Sequence, residues 1–399
     1  MRVKVRDGDS LWLYSQLFKV PIQLIQDSNP RLSNYLNIGD DVEIPGYIKE
    51  SYMIKTGETM FQLARKLNIA EEALMLVNPE IKEILLPGQK VYLPKRVNHL
   101  IIDGNQKYDF NQLEKDVRTL RSIYPFLKVN TIGKSVLERP LYEIELGRGK
   151  RTLHFNASFH ANEWITTPVL MKSLNEYILA LTNGKKICDE HMMPLYHRTH
   201  LSIVPMVNPD GVNLVLHGPP NQLKKELITL NKGSTDFSGW KANVRGVDLN
   251  NQYPAKWEIE KERKEPKSPA PRDYPGEHPL TEPEAKAMAQ LAEERRFSLL
   301  LAYHTQGREF YWGYDDLEPG ESKRLAEEYE KISGYKAIQY IDSHAGYRDW
   351  FIYEYRRPGF TFELGYGVNP LPLDQFPRIY KEMLAVFVRT LQMETDSIH

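Results

Sequence analysis

Gly8-Asp9-Ser10-Leu11 returns 49 residues later as Gly57-Glu58-Thr59-Met60, and the match holds its register to the end of the unit. Ser28-Asn29-Pro30 returns as Val77-Asn78-Pro79, Ile38-Gly39-Asp40 as Pro87-Gly88-Gln89, and Ile44-Pro45 as Leu93-Pro94. A gapless repeat of this length marks one small unit used twice. Within a unit the order reads strand, helix, helix, strand. The short polar residues of Gly-Asp-Ser and Gly-Glu-Thr suit the cap of the first helix, and the second helix ends at Asn-Pro.

On these Gly-Asp-Ser-Leu-Trp and Gly-Glu-Thr-Met-Phe openings, the paired Asn-Pro and the Ile44-Pro45 and Leu93-Pro94 endings, the units resemble LysM modules. The resemblance implies small βααβ domains that bind N-acetylglucosamine-containing glycans such as peptidoglycan or chitin. A pair of interaction modules without sugar affinity is the alternative, and the contact residues are not legible in the sequence. The expected limits are 1–47 and 50–96, with Tyr47–Ser51 as a short spacer and a larger domain over 101–394.

A chain of 399 residues has room for such a third domain. Its charges nearly cancel, at a formal net charge of -1, so no basic field points to nucleic acid. The apolar run Phe297–Tyr303 is too short to span a bilayer. No apolar core follows the charged residues at Met1–Asp9, so no secretory signal peptide is read there. Action inside a cell, or in association with a spore, is the expectation. Cys188 is the only cysteine, so any zinc site here must use His, Glu or Asp.

In the larger domain strands and helices alternate. Strands are expected near 127–133, 140–147, 152–159, 199–205, 297–303 and 359–365, with helices near 110–120, 165–182, 281–296 and 374–392. A strand-like tail is expected at 245–251, and the proline- and charge-rich stretch 253–277 reads as a long surface excursion. This order predicts an α/β fold, a mixed sheet with helices on both faces. His160-x-x-Glu163 follows one strand, His304 ends another, and Glu363 lies inside a third. Each has a structural alternative, a hydrogen-bonded core histidine or a glutamate paired with arginine. Together they supply the three ligands and the carboxylate base of a hydrolytic zinc site.

With Asn208-Pro209-Asp210-Gly211, Gly246-Val247-Asp248-Leu249-Asn250, Gly346-x-x-Asp349-Trp350 and Phe360-Thr361-Phe362-Glu363, the domain resembles the zinc carboxypeptidases of the pancreatic type over about residues 105–392. The resemblance implies one Zn²⁺ ion on His160, Glu163 and His304, Glu363 as the general base, and Asp248 as the carboxylate that orients His160. It also implies departures. Asn251 follows Asn250 where the family carries the arginine that grips a terminal carboxylate, which weakens the case for C-terminal trimming. Arg245 is the nearest arginine in sequence, for the oxyanion or for a structural ion pair. Arg348 stands at the family's specificity position and favours an acidic substrate side chain. Tyr340 lies within a residue of its substrate-binding tyrosine.

LysM modules joined to this variant domain are similar to the bacterial γ-D-glutamyl-L-diamino acid endopeptidases of type I. That resemblance implies cleavage of the γ-D-glutamyl to meso-diaminopimelate (or lysine) bond in peptidoglycan stem peptides, with glycan strands and stem peptides as partners. A general metallocarboxypeptidase and an inactive wall-binding protein are the alternatives.

Overall fold

Each repeat closes on an asparagine. In the computed structural model, which describes residues 1–32, 36–81 and 85–394, Asn29 Nδ2 donates to the carbonyls of Ile25 and Glu43 while its Oδ1 accepts from the Glu43 N–H. Asn78 repeats the clasp 49 residues on, with Leu74 and Tyr92. The side chain thus ties the end of the second helix to the closing strand, which explains the recurring Asn-Pro. Ser10 and Thr59 cap the first helices, Leu11–Phe18 and Met60–Leu67, by accepting from Leu13 and Gln62 N–H. The spacer expected at Tyr47–Ser51 is part of the strand Tyr47–Met53, which pairs antiparallel with Lys90–Arg96 from Tyr47↔Arg96 to Met53↔Lys90. Backbone pairing with the module's own closing strand leaves no free linker there.

The chain divides into two compact units. One comprises Met1–Ile101, Asp116–Lys128 and Asn175–Met193; the other comprises Ile102–Lys115, Val129–Leu174 and the residues from Pro194 on. The second is built on an eight-stranded sheet. Its strands are β1 (Lys128–Lys134), β2 (Pro140–Leu146), β3 (Arg151–Ala157), β4 (Thr199–Val204), β5 (Leu299–His304), β6 (Glu309–Tyr311), β7 (Lys336–Ile338) and β8 (Gly359–Glu363). The spatial order is β7-β6-β8-β5-β3-β4-β2-β1. The central strands β8, β5, β3 and β4 run parallel, whereas β2 and β6 are antiparallel to their neighbours β4 and β8.

The central strands are buried almost throughout because both faces are covered. On one face Val204, Leu300 and Ala302 pack with Met288 and Ala289 of the helix Pro283–Arg295 and with Phe351 of the helix Tyr347–Tyr355. On the other, Phe155 meets Phe387 at 5.0 Å between ring centres, and Phe362 meets Tyr329 at 5.4 Å. Those rings belong to the helices Phe376–Gln392 and Glu321–Ser333. No helix among the described residues is long and apolar enough to cross a membrane.

Two further expectations need correction. Residues 245–251 form no strand: Asp248 Oδ1 accepts from the Asn250 N–H and opens a 3₁₀ turn, Leu249–Asn251. The stretch 253–277 is anchored, since Tyr253, Trp257 and Tyr274 are buried and Trp257–Arg263 is helical. Its aromatic residues, outweighed in the sequence by proline and charge, hold it down.

Candidate metal centre

Parallel strands deliver the site. His304 and Glu363 are the last residues of β5 and β8 and are register partners. The neighbouring β3 ends at Ala157, and Ser158 then takes a left-handed backbone (φ 49°) that turns the chain out of the sheet. The Ser158 N–H donates to Thr166 Oγ1 and its hydroxyl meets Thr167 Oγ1, which offsets the conformational cost. His160 remains extended, and the 3₁₀ turn Ala161–Glu163 brings Glu163 back beside it.

Asn208 fixes this turn against the next segment. Its Oδ1 caps the helix Pro209–His217 by accepting from Gly211 N–H, while its Nδ2 donates to the carbonyls of Phe159 and Ala242. Gly211 has no room for a side chain, because a Cβ would lie 2.6 Å from Asn208 Oδ1 and 2.8 Å from the Ala161 Cβ. The Asn-Pro-Asp-Gly motif is therefore a clamp. The Ala161 N–H completes it by donating to the Lys241 carbonyl at 3.0 Å.

The ligand atoms converge. His160 Nδ1 lies 2.8 Å from Glu163 Oε1, and His304 Nδ1 lies 3.0 Å from Glu163 Oε2 and 3.1 Å from His160 Nδ1. All three residues are buried. Two imidazole nitrogens and a carboxylate oxygen meeting at one point form a donor set that suits Zn²⁺ with a position left for water. His160 Nε2, on the far side of its ring, lies 3.3 Å from Asp248 Oδ1. A carboxylate at that nitrogen fixes the tautomer and leaves Nδ1 free to ligate.

Asp248 is also held on its other side. Lys241 Nζ lies 3.1 Å from Asp248 Oδ2 and 3.6 Å from Asp273. Burial opposes the charge of Lys241, yet Asp248, Asp273 and Glu163 together raise its pKa above the ordinary ammonium value. Burial likewise opposes ionisation of Asp248, but Lys241 and His160 hold its carboxyl well below the usual range. The anchored stretch supports this network: the Lys241 and Ala242 N–H groups donate to the Pro271 carbonyl, and the Asp248 N–H donates to that of Tyr274.

Glu363 keeps some access to solvent. Its carboxyl is pushed up to about 8, by burial first and then by the charge of Glu163. Glu309, its register partner on β6, adds to the effect.

The remaining sequence candidates each have contacts outside the ligand cluster. Arg348 is buried; its Nη1 donates to the Gly313 carbonyl at 2.7 Å, its Nη2 lies 2.5 Å from Asp349, and its Nε has no hydrogen-bond partner among the described residues. Tyr311 stands within electrostatic reach of both Glu363 and Arg348. Asn250 Oδ1 accepts from the Tyr347 N–H, and Asn251 is buried with its carbonyl accepting from Trp257 Nε1. Arg245 is largely exposed and faces Glu282 at 3.6 Å. Tyr340 is also exposed, its hydroxyl bonded to Asp316 and Glu318. The cation found beside the ligand cluster is Lys241, which the sequence reading passed over. A lysine between Trp240 and Ala242, both buried in an apolar cluster, was the available signal.

Residues 113–386 match the zinc carboxypeptidase family, and residues 3–45 and 52–94 each match the LysM domain. The chain is 51% identical over 397 residues to a γ-D-glutamyl-L-diamino acid endopeptidase 1 of Lysinibacillus sphaericus, covering 98% of this chain and 100% of that protein. It is 46% identical to an uncharacterized protein of Bacillus subtilis, covering 98% and 97%. Among solved structures, carboxypeptidase A from Helicoverpa armigera shares the fold at a TM-score of 0.56 and 16% identity, covering 82% of this chain and 86% of that one. Behind two LysM domains, this chain belongs to the zinc carboxypeptidase family.

Proposed function

We propose that the chain hydrolyses the γ-D-glutamyl to meso-diaminopimelate (or lysine) bond of peptidoglycan stem peptides. Modules 1–47 and 50–96 hold it on glycan strands, and residues 101–394 carry the chemistry. The observation that carries this reading is the convergence of His160, Glu163 and His304 beside Glu363, in a chain that matches end to end a relative named for that bond.

One zinc ion held by His160, Glu163 and His304 supplies a Lewis acid for the scissile carbonyl and lowers the pKa of water. Glu363 takes the proton of the attacking water and hands it to the departing amine. Burial raises its pKa above the ordinary carboxylate value, which favours return of the proton to the amine. Asp248 orients His160, and Lys241 keeps Asp248 ionised. In this reading Arg348 meets the extra carboxylate of diaminopimelate, and its Nε–H, without a partner among the described residues, supports that role. Asn251, in place of a carboxylate-gripping arginine, fits a bond that is not at a free C-terminus.

Trp12 and Phe61 occupy equivalent positions in the two modules and are 63% and 56% exposed, offering aromatic faces to sugar rings. Attachment to the polymer raises the effective concentration of stem peptides at the catalytic domain.

The test is to incubate the full chain with muropeptides and with plain peptides, with and without chelator, and to identify products by mass spectrometry. Chelator-sensitive release of diaminopimelate-bearing fragments is expected. Trimming of plain peptide C-termini alone would overturn the reading.

A further inference from the structure

A cavity of about 560 Å³ opens within the first compact unit, and neither Trp12 nor Phe61 is among its lining residues. Its walls come from corresponding parts of the repeat. Lys19 and Asn68, 49 residues apart, are the left-handed C-caps of the first helices of the two modules, and both line it. So do Tyr47 and Arg96, register partners on the paired strands.

Its charge is one-sided. Lys19, Lys66, Lys95, Arg96 and His99 line the cavity, and among the described residues none that lines it is acidic. Lys95 has an exposed partner, Glu50 at 3.0 Å, from outside the lining. Arg96 is a fixed wall: its guanidinium donates to the carbonyls of Phe18, Lys19 and Thr182 and to the Tyr47 hydroxyl, and packs 4.9 Å from the Tyr47 ring centre. Neutral acceptors satisfy its donors without cancelling its charge.

The same contacts remove the obstacle to an anion. Helix C-termini present carbonyls that repel negative charge. Here Arg96 occupies the carbonyls ending the helix Leu11–Phe18, and the Asn68 N–H caps those of Ala64 and Arg65 at the end of Met60–Leu67. The charged groups that line the cavity are cationic, beside the amides of Asn68, Asn98 and Asn183 and the apolar Leu17, Leu67, Ile69 and Pro94.

We infer that this cavity is a binding site for an anionic oligomer whose charge is carried by carboxylates or phosphates. The spread of lysines along the walls fits charges repeated along a chain, held as point charges. The site would grip the polymer independently of the sugar faces of the modules and of the peptidase centre.

The test uses the full chain carrying Glu363→Gln, so that no probe is consumed, with and without Lys19→Glu and Lys66→Glu. Calorimetric titration is run with a disaccharide-tripeptide, which carries carboxylates, and with a glycerol-phosphate oligomer, which carries phosphodiesters. At least one is expected to bind, roughly fivefold more weakly for each reversed charge and more weakly as salt rises. The probe that shows this loss names the source of the anion. If neither affinity responds to the reversals, the inference fails. If the reversed variants have a lowered melting temperature, the salt dependence of the parent decides: an affinity that salt does not weaken overturns the site.

Discussion

Asp248 Oδ1 lies 3.3 Å from His160 Nε2, on the side of the imidazole opposite Glu163 and His304. The contact decides which ring nitrogen is left to ligate, and Asp248 can hold it because Lys241 keeps the carboxyl ionised in a fully buried position. Asp248→Asn keeps the shape but removes the charge. Zinc affinity is expected to fall about 10- to 100-fold, measured by competition with a chromophoric chelator. Unchanged affinity would mean that the contact only packs the loop.

Glu363→Gln removes the base and leaves the three ligands in place. The turnover rate is expected to fall by roughly 10²–10⁴, with zinc content unchanged by elemental analysis. In the parent enzyme the rate should decline as pH falls through the pKa of Glu363, because the protonated carboxyl cannot accept a proton. A bound dication offsets the Glu163 charge that helps to raise this group to about 8, so the acid limb should lie below that value. An acid limb that survives in the Gln variant would assign it to another group.

Arg348 already faces Asp349 at 2.5 Å, so its removal strands a buried carboxyl as well as any substrate contact. The informative readout is therefore a ratio. Arg348→Met should lower the rate on diaminopimelate peptides relative to lysine peptides by ~10- to 100-fold, the worth of a hydrogen bond to a charged group. Equal losses on both substrates would reduce Arg348 to a partner of Asp349.

The ligand set was legible because the chemistry forces unusual residues to strand ends: His304 after a wholly apolar run, Glu363 among phenylalanines. The LysM repeats were legible because their register is exact in sequence, down to the asparagine clasp. Lys241 was not, because its role depends on Asp248 and Asp273, seven and thirty-two residues further on in sequence. The anchoring of 253–277 was hidden for a related reason: its buried aromatics are few, and the polar residues between them dominate any local average. The strand over Tyr47–Met53 was missed because most of its residues are exposed, leaving no apolar alternation to read.

The Asn78 side chain bonds to the Leu74 carbonyl and to both backbone groups of Tyr92. Asn78→Ala leaves two carbonyls and an N–H without these partners in a largely buried place, so the second module should lose about 2–3 kcal/mol. Asn29→Ala should do the same to the first. Chemical denaturation followed through each module's own aromatic residues checks both, and a loss in one module alone would break the equivalence of the clasps.

Glu284 gives the fold a pH dependence separate from the metal centre. Its side chain is fully buried; Oε1 accepts from the Val136 N–H and Oε2 has no partner. Burial first, with the charges of Asp210 and Glu282 adding to it, pushes the carboxyl from 4.5 up to about 8. Between those values the folded chain keeps a proton that the unfolded chain releases, so stability falls as pH rises. The contribution is full below 4.5 and declines until the folded carboxyl ionises near 8, by at most about 1.4 kcal/mol per pH unit. Glu284→Gln carries no ionisable proton and should lose this slope. Denaturation midpoints of the two proteins should therefore separate in favour of the variant as pH rises from about 5 to about 8. Parallel midpoints over that window would show that Glu284 keeps an ordinary pKa in the folded chain.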